Sequence, residues 1–417
     1  MKKIIVRLLI VGNSFFMALY MSTANAVHVH PVESNDAGLC KSAGLANVDA
    51  IQECAKTISS HFDSKGRLWS AWSNGEYLYV NFSDDKGKTF SPGVKVNPLA
   101  EKIAAGHEYR PKIKVSVNGN IYLSWTRSLK KRFTGDIRFS KSIDEGKTFS
   151  QPLTVNDNRD IISHRFDELG VNKSGDIYIS WLDKRDKQQA IKSGKKYNGA
   201  AAYFAVSVDE GKNFSPNIKI ADNSCECCRM AMDFDQRDFP VITWRNIYGD
   251  NIRDHSIVSF ENRLKPRKPD RLSHDNWKLN GCPHHGPSLS ISDANIYHAV
   301  WFNDAKQNHG VFYASSSNAG ESFSQPIEVG QYKNQASHAD IVTLGNSVYI
   351  AWQEFSESRY QLYIMQSVDN GKSWSKAKVL SVTSKTPDYP FIVKDKKQIY
   401  VSWHIPGIHY QLIPVSK

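Results

Sequence analysis

The sequence predicts an all-β propeller of four-stranded blades, seven in number with six as the alternative. Two repeating signals predict it. The first is the pattern Ser-x-Asp-x-Gly-x-Ser/Thr-aromatic at Ser142–Phe149, found again at Ser83–Phe90 and Ser367–Trp374. It returns with one change each at Ser207–Phe214 (Asn213 for Thr) and Ser316–Phe323 (Asn318 for Asp). The second is a β-branched and aromatic run that ends in tryptophan. Trp72, Trp125, Trp181, Trp244, Trp301, Trp352 and Trp403 close seven such runs, 51 to 63 residues apart. Self-similarity at a fixed long period marks a repeat architecture, and strand-only units closed around an axis protect their sheet edges.

The eight-residue pattern reads as a tight turn between two strands. Its Asp accepts backbone N–H bonds, its Gly supplies a positive φ, and its aromatic ring staples the turn to the sheet. The second unit shows the four-strand plan: Arg110 to Val117, Asn120 to Thr126, Gly135 to Ser142, and Leu153 to Asn156. Helical periodicity is confined to one short candidate, Ala46 to Ser60. The last unit, ending at Gly407 to Val415, lacks a fourth strand, and Val27 to Val32 alternates in a way that completes it.

Residues 1–26 read as a secretory signal. Lys2, Lys3 and Arg7 precede an apolar run, and Ala24-Asn25-Ala26 is a small-x-small cleavage site. The expected mature chain, 27–417, is one propeller domain, secreted or periplasmic, with no stable membrane insertion. Losing three positive charges takes the formal net charge from +11 to +8. That is a basic protein, drawn weakly to anionic partners. No Lys/Arg-rich segment suggests a nucleic-acid surface, and the oligomeric state is not legible.

Propeller geometry sorts the loops. Those entering each innermost strand share a face with those joining the second and third strands, opposite the repeated turns. That face gathers His107 to Arg110, His164 to Asp167, Cys225 to Arg229, Cys282 to His285 and His338 to Asp340. From the other loop set it adds Arg127, Asp183, Arg185, Asp186, Arg245, Asn246, Asn303, Asp304, Glu354 and His404. A site is expected there.

The chain resembles the sialidase superfamily of Asp-box propellers. Tyr109-Arg110-Pro111, the strand ending in Arg127, Asp136 and the box at Ser142 carry the likeness, which covers the fold of nearly all the mature chain. The resemblance implies exo-α-sialidase-like hydrolysis or binding of an acidic glycan. It makes Arg110 and Arg245 carboxylate-binding arginines, since a guanidinium meets a carboxylate in a bidentate fork. Asp136 becomes the acid/base and Glu226 the glutamate, with Arg229 competing for that register. Arg127, Arg165, Asp167 and Arg253 are the candidate substrate-binding residues. The chain departs from the pattern in having no good third arginine: His284-His285 occupy that loop. Ser337-His338 stand where a nucleophilic Tyr is expected, with Tyr360 and Tyr389 as substitutes.

The six cysteines fall into two groups. Cys40 and Cys54 suit a disulfide in an oxidising compartment. Cys225, Cys227, Cys228 and Cys282 admit disulfide bonding, for example through Cys282. They also admit a copper or zinc site together with His284 and His285, with His255 and His338 nearby. Cys-x-Cys-Cys and Cys-Pro-x-x-Gly-Pro also resemble a divergent bacterial subset of sialidase-like proteins.

Overall fold

In the computed structural model, seven antiparallel sheets stand around a central channel, and residues 52–306 and 308–415 are described. The innermost strands touch in the order Ile58–Phe62, Lys112–Val115, His164–Val171, Ala231–Phe234, Ser288–Ile291, Ser337–Leu344, Phe391–Lys394. The last of these lies against Ile58–Phe62, so the ring closes at seven blades. Six blades have four strands in sequence order; the seventh has three among the described residues, Phe391–Lys394, Ile399–Ile405 and His409–Val415. The completing strand expected at Val27 to Val32 lies outside the described residues, as do the signal segment and Cys40. Among the described residues no helix is long and apolar enough to cross a membrane.

Each second strand is buried on both faces, because a blade is sandwiched between two others. Ile177–Asp183 and Ile399–Ile405 are buried at every position. This explains their nearly unbroken apolar sequences, the pattern of strands covered on both sides. The seven repeated tryptophans are each at most 2 % exposed. Each fills the seam with the preceding blade: Trp125 packs with Trp69 and Leu78, Trp403 with Tyr349 and Ile364. The ring-closing seam uses Trp72 against Ala55, Ile58 and Tyr410.

The repeated turns are built as expected, with one refinement. Asp144 accepts from the Ser142 hydroxyl (2.7 Å), the Thr148 amide (3.0 Å) and the Thr148 hydroxyl (2.6 Å). The Ser142 hydroxyl in turn accepts from the Gly146 amide at 3.0 Å. The Thr148 hydroxyl and amide hold the Asp144 carboxyl down at about 2. The aromatic ring, however, reaches the preceding blade: Phe214 meets Phe139 edge-on at 5.1 Å, and Trp374 meets Tyr313 at 4.8 Å. Gly146 has φ 77°, and a Cβ there would lie 2.7 Å from the Trp69 ring. The box therefore staples blade to blade. Blade four lacks it, and carries a small hairpin, Phe260–Asn262 with Lys265–Pro266.

Two expectations are corrected. The helix placed over Ala46 to Ser60 lies partly outside the described residues; within them only Gln52 and Glu53 are helical, and from Ile58 the chain is the strand Ile58–Phe62, paired with Leu68–Asn74. Pairing and burial there override local helical spacing. Helix α1 (Arg185–Lys192) lies between the second and third strands of blade three, and none of its residues is buried.

Candidate functional site

The loops entering the innermost strands of blades four and five carry the cysteines. Cys225, Cys227 and Cys228 are free thiols, 1 %, 4 % and 1 % exposed. Their sulfurs lie within 4.8 Å of one another, with Cys225 and Cys227 at 3.7 Å. Cys282, also a free thiol, is exposed, and with Cys227 and His284 it forms a second set within the same limit. A separation of 3.7 Å is too long for a disulfide, whose sulfurs lie ~2.05 Å apart. Two thiolates bonded at ~2.3 Å to one tetrahedral ion stand about 3.8 Å apart. Cys225 and Cys227 therefore have the spacing of two ligands on one ion, and the other donors lie close enough to join them.

Positive charge surrounds the sulfurs. The Arg253 Nη1 donates to Cys225 Sγ at 3.1 Å. Hydrogen bonds from the Cys227 and Cys228 thiols, then the Arg253 and Arg245 guanidiniums, hold Cys225 well below the ordinary thiol range. Cys227 is pushed up because it is the donor to Cys225, and Cys228 is pushed up by burial. Glu226, between the cysteines, pairs with Lys184 at 2.7 Å and Lys187 at 3.6 Å. Burial opposes its ionisation, but these ammoniums keep it below the usual range.

The two cysteine loops are held in register from across the channel. One oxygen of Glu108, on blade two, accepts from the Arg229 amide at 3.0 Å and the Gly286 amide at 2.9 Å. A Cβ on Gly286 would lie 2.5 Å from the Arg229 carbonyl oxygen, so glycine is required by the approach of the two loops. Arg229 also donates to the Ala339 carbonyl at 3.0 Å. His284 has a left-handed backbone, φ 52°, a conformation that collects at functional sites.

The two arginines assigned to carboxylate binding are engaged otherwise. Arg110 makes a fork with Asp388 at 2.7 and 2.6 Å, both side chains at most 2 % exposed. A substrate carboxylate would have to displace Asp388. Arg245 donates to the carbonyls of Arg253 (2.6 Å), His285 (2.8 Å) and Phe302 (2.7 Å). It braces the loops that surround the sulfurs.

The remaining sequence candidates divide. Asp136 is buried and accepts from Arg127 at 2.5 Å and from Asn156 at 3.2 Å. Asp167 is buried under the Ser124 and Thr126 hydroxyls, and burial raises its carboxyl. Arg165 packs over Tyr109 at 4.9 Å, and burial lowers its guanidinium. His255 is buried in the third strand of blade four, beside Trp301, and joins neither cysteine set. Asp183 and Glu354 serve architecture, accepting from the indoles of Trp181 and Trp352. Cys54 is not among the free thiols.

Beside the sulfurs a row of rings crosses the face. Phe302, His285, His338, Tyr389 and His107 stack in that order, with centroids 4.2, 4.3, 3.4 and 4.6 Å apart. His107 Nδ1 lies 2.8 Å from Asp388. Burial, reinforced by Glu108, raises the Tyr389 phenol. Glu108 and Asp388 were not singled out from sequence. The signal for Asp388 was Pro387-Asp388-Tyr389-Pro390, where two prolines fix an extended loop.

Comparison with known proteins agrees with this architecture. The model of a BNR repeat-like domain matches residues 257–401. No curated protein matches the sequence. Solved propellers do match. An ulvan lyase of polysaccharide lyase family PL25 aligns at TM-score 0.54 and 12% identity, over 85% of this chain and 91% of its own. A protein of unknown function from Dyadobacter fermentans aligns at 0.51 and 14%, over 86% and 97%. A Hadza microbial sialidase aligns at 0.49 and 12%, over 84% and 73%. The chain is a seven-bladed β-propeller, and its residues 257–401 match the BNR repeat-like domain.

Proposed function

We propose that this propeller binds a soft metal ion, copper(I) or zinc, through Cys225, Cys227, Cys228, Cys282 and His284. The observation that carries the reading is the buried trio of free thiols, two of them 3.7 Å apart, in a positive setting. Thiolates select soft ions. The three buried sulfurs favour copper(I), which accepts low coordination numbers, whereas structural zinc asks for a fourth donor. His285 buttresses the site through its carbonyl contact with Arg245 and its stacked ring. Its assignment as a ligand gives way to His284. We place the protein outside the cytoplasm, with Cys40 and Cys54 paired, on the signal-like segment alone.

Metal analysis of protein purified without chelators tests this, against the Cys225→Ser/Cys228→Ser variant. About one equivalent or more, lost in the variant, supports the reading. No bound metal, with all cysteines found as disulfides, contradicts it.

A second reading, action on an acidic glycan, draws on the stacked faces of His107, Tyr389 and His338 beside Arg110. Tyr389 is covered on both faces by His338 and His107, so a sugar would meet the part-exposed His107, and the ulvan lyase shares the fold. Release of a reporter from acidic glycosides or polysaccharide, reduced in Tyr389→Ala, would support it; no turnover of any such substrate would remove it.

A further inference from the structure

Cys227 belongs to two sets of metal-ligating atoms. With Cys225 and Cys228 it forms a buried set; with Cys282 and His284 it forms another, and in each set the donor atoms lie within 4.8 Å of one another. The sets differ in their access to solvent. The first exposes no more than 4 % of any residue, whereas Cys282 is exposed and His284 half-buried. The second set is therefore the solvent-side approach to the first.

We infer that the two sets act in series, as a relay for copper(I). Cys282 and His284 receive the ion, and Cys227, a ligand in both sets, hands it to Cys225 and Cys228. The inference rests on the metal-binding reading and adds a direction of travel to it. A soft ion of low coordination number can gain one ligand before it releases another. At each step one copper–sulfur bond forms as one bond to an outer donor breaks, and the ion keeps its oxidation state throughout. Thiols bind as thiolates, so their protons pass to solvent as the ion moves inward. Arg253, 3.1 Å from Cys225, offsets the negative charge that gathers there. Glu108 accepts from both cysteine loops with one oxygen and so fixes the distance between the sets.

The test is loading of the full protein from a chromophoric copper(I) chelate, with bound ions counted by native mass spectrometry. Two variants are compared with the unmodified chain: Cys282→Ser/His284→Ala and Cys225→Ser/Cys228→Ser. The first is expected to keep an ion on the buried sulfurs but to acquire it several-fold more slowly. The second is expected to take up an ion quickly and to surrender it quickly to the chelator. Loading of the first variant at the unmodified rate overturns the inference. So does complete loss of the ion from that variant with its fold intact by near-ultraviolet circular dichroism, because the five donors would then form one site. If the double variant unfolds, Cys282→Ala alone, at an exposed position, carries the same rate comparison. An unmodified chain that takes up no copper(I) removes the metal-binding reading itself.

Discussion

The two faces of this propeller are built on opposite principles. On one, each Asp box is closed within eight residues: Ser142, Asp144, Gly146 and Thr148 satisfy one another. On the other, the contacts join distant segments. Arg110 and Asp388 stand 278 positions apart, Glu108 and Arg229 stand 121 apart, and Glu108 and Gly286 stand 178 apart. A local motif can be copied from blade to blade and be absent from two, blades four and seven, while the ring still closes. A cross-channel contact exists once. The difference teaches that the repeated face makes the scaffold, while the unrepeated one fixes a single geometry.

The largest effect should come from breaking the Arg110–Asp388 fork. Arg110→Ala leaves a buried carboxylate without its partner, a loss of about 3–5 kcal/mol. Thermal unfolding checks it, and a double Arg110→Leu/Asp388→Leu variant should be less destabilised than either single one. The fork also sets a pH dependence. Burial opposes ionisation of Asp388, yet the Arg110 guanidinium and His107 hold its carboxyl below the ordinary range. A carboxyl lowered in the folded state stabilises fully above its unfolded pKa, about 3.9, and loses that contribution as pH falls through the folded value. In Asp388→Asn the fall in melting temperature below about pH 4 should therefore be shallower.

An intermediate effect is expected at Gly286. The added methyl of Gly286→Ala meets the Arg229 backbone, and overpacking of this kind costs about 1–3 kcal/mol. Because it moves the two cysteine loops apart, metal affinity should fall together with stability. Unchanged affinity in a destabilised variant would show that loop register does not govern the site.

The smallest effect belongs to the repeated face. Asp144→Ala removes an exposed turn's acceptor, at a cost of about 0.5–1.5 kcal/mol, and metal binding should be unaltered. A change in metal binding there would erase the distinction between the faces.

The same distinction decides what was legible in sequence. The boxes and the tryptophan strands are local and repeated, so blade number, strand order and the shared face of the loops follow from them. Helix α1 escaped because Arg185–Lys192 buries nothing and so shows no apolar stripe. The cysteine group was legible, since Cys-x-Cys-Cys and Cys-Pro-His-His-Gly-Pro are unusual within their own loops. The duties of the arginines were not. Arg245 is engaged by backbone carbonyls, which no side-chain pattern announces, and the partner of Arg110 lies at the far end of the chain. Glu108 was one charge among many until the fold brought it to two amides of the cysteine loops.

On the reading proposed above, the unrepeated face holds a sulfur-rich metal site. X-ray absorption at the metal edge of the natively purified protein tests it most directly. The expected first shell is dominated by sulfur at about 2.3 Å and is diminished in Cys225→Ser/Cys228→Ser. A first shell of nitrogen and oxygen alone, unchanged in that variant, would contradict it.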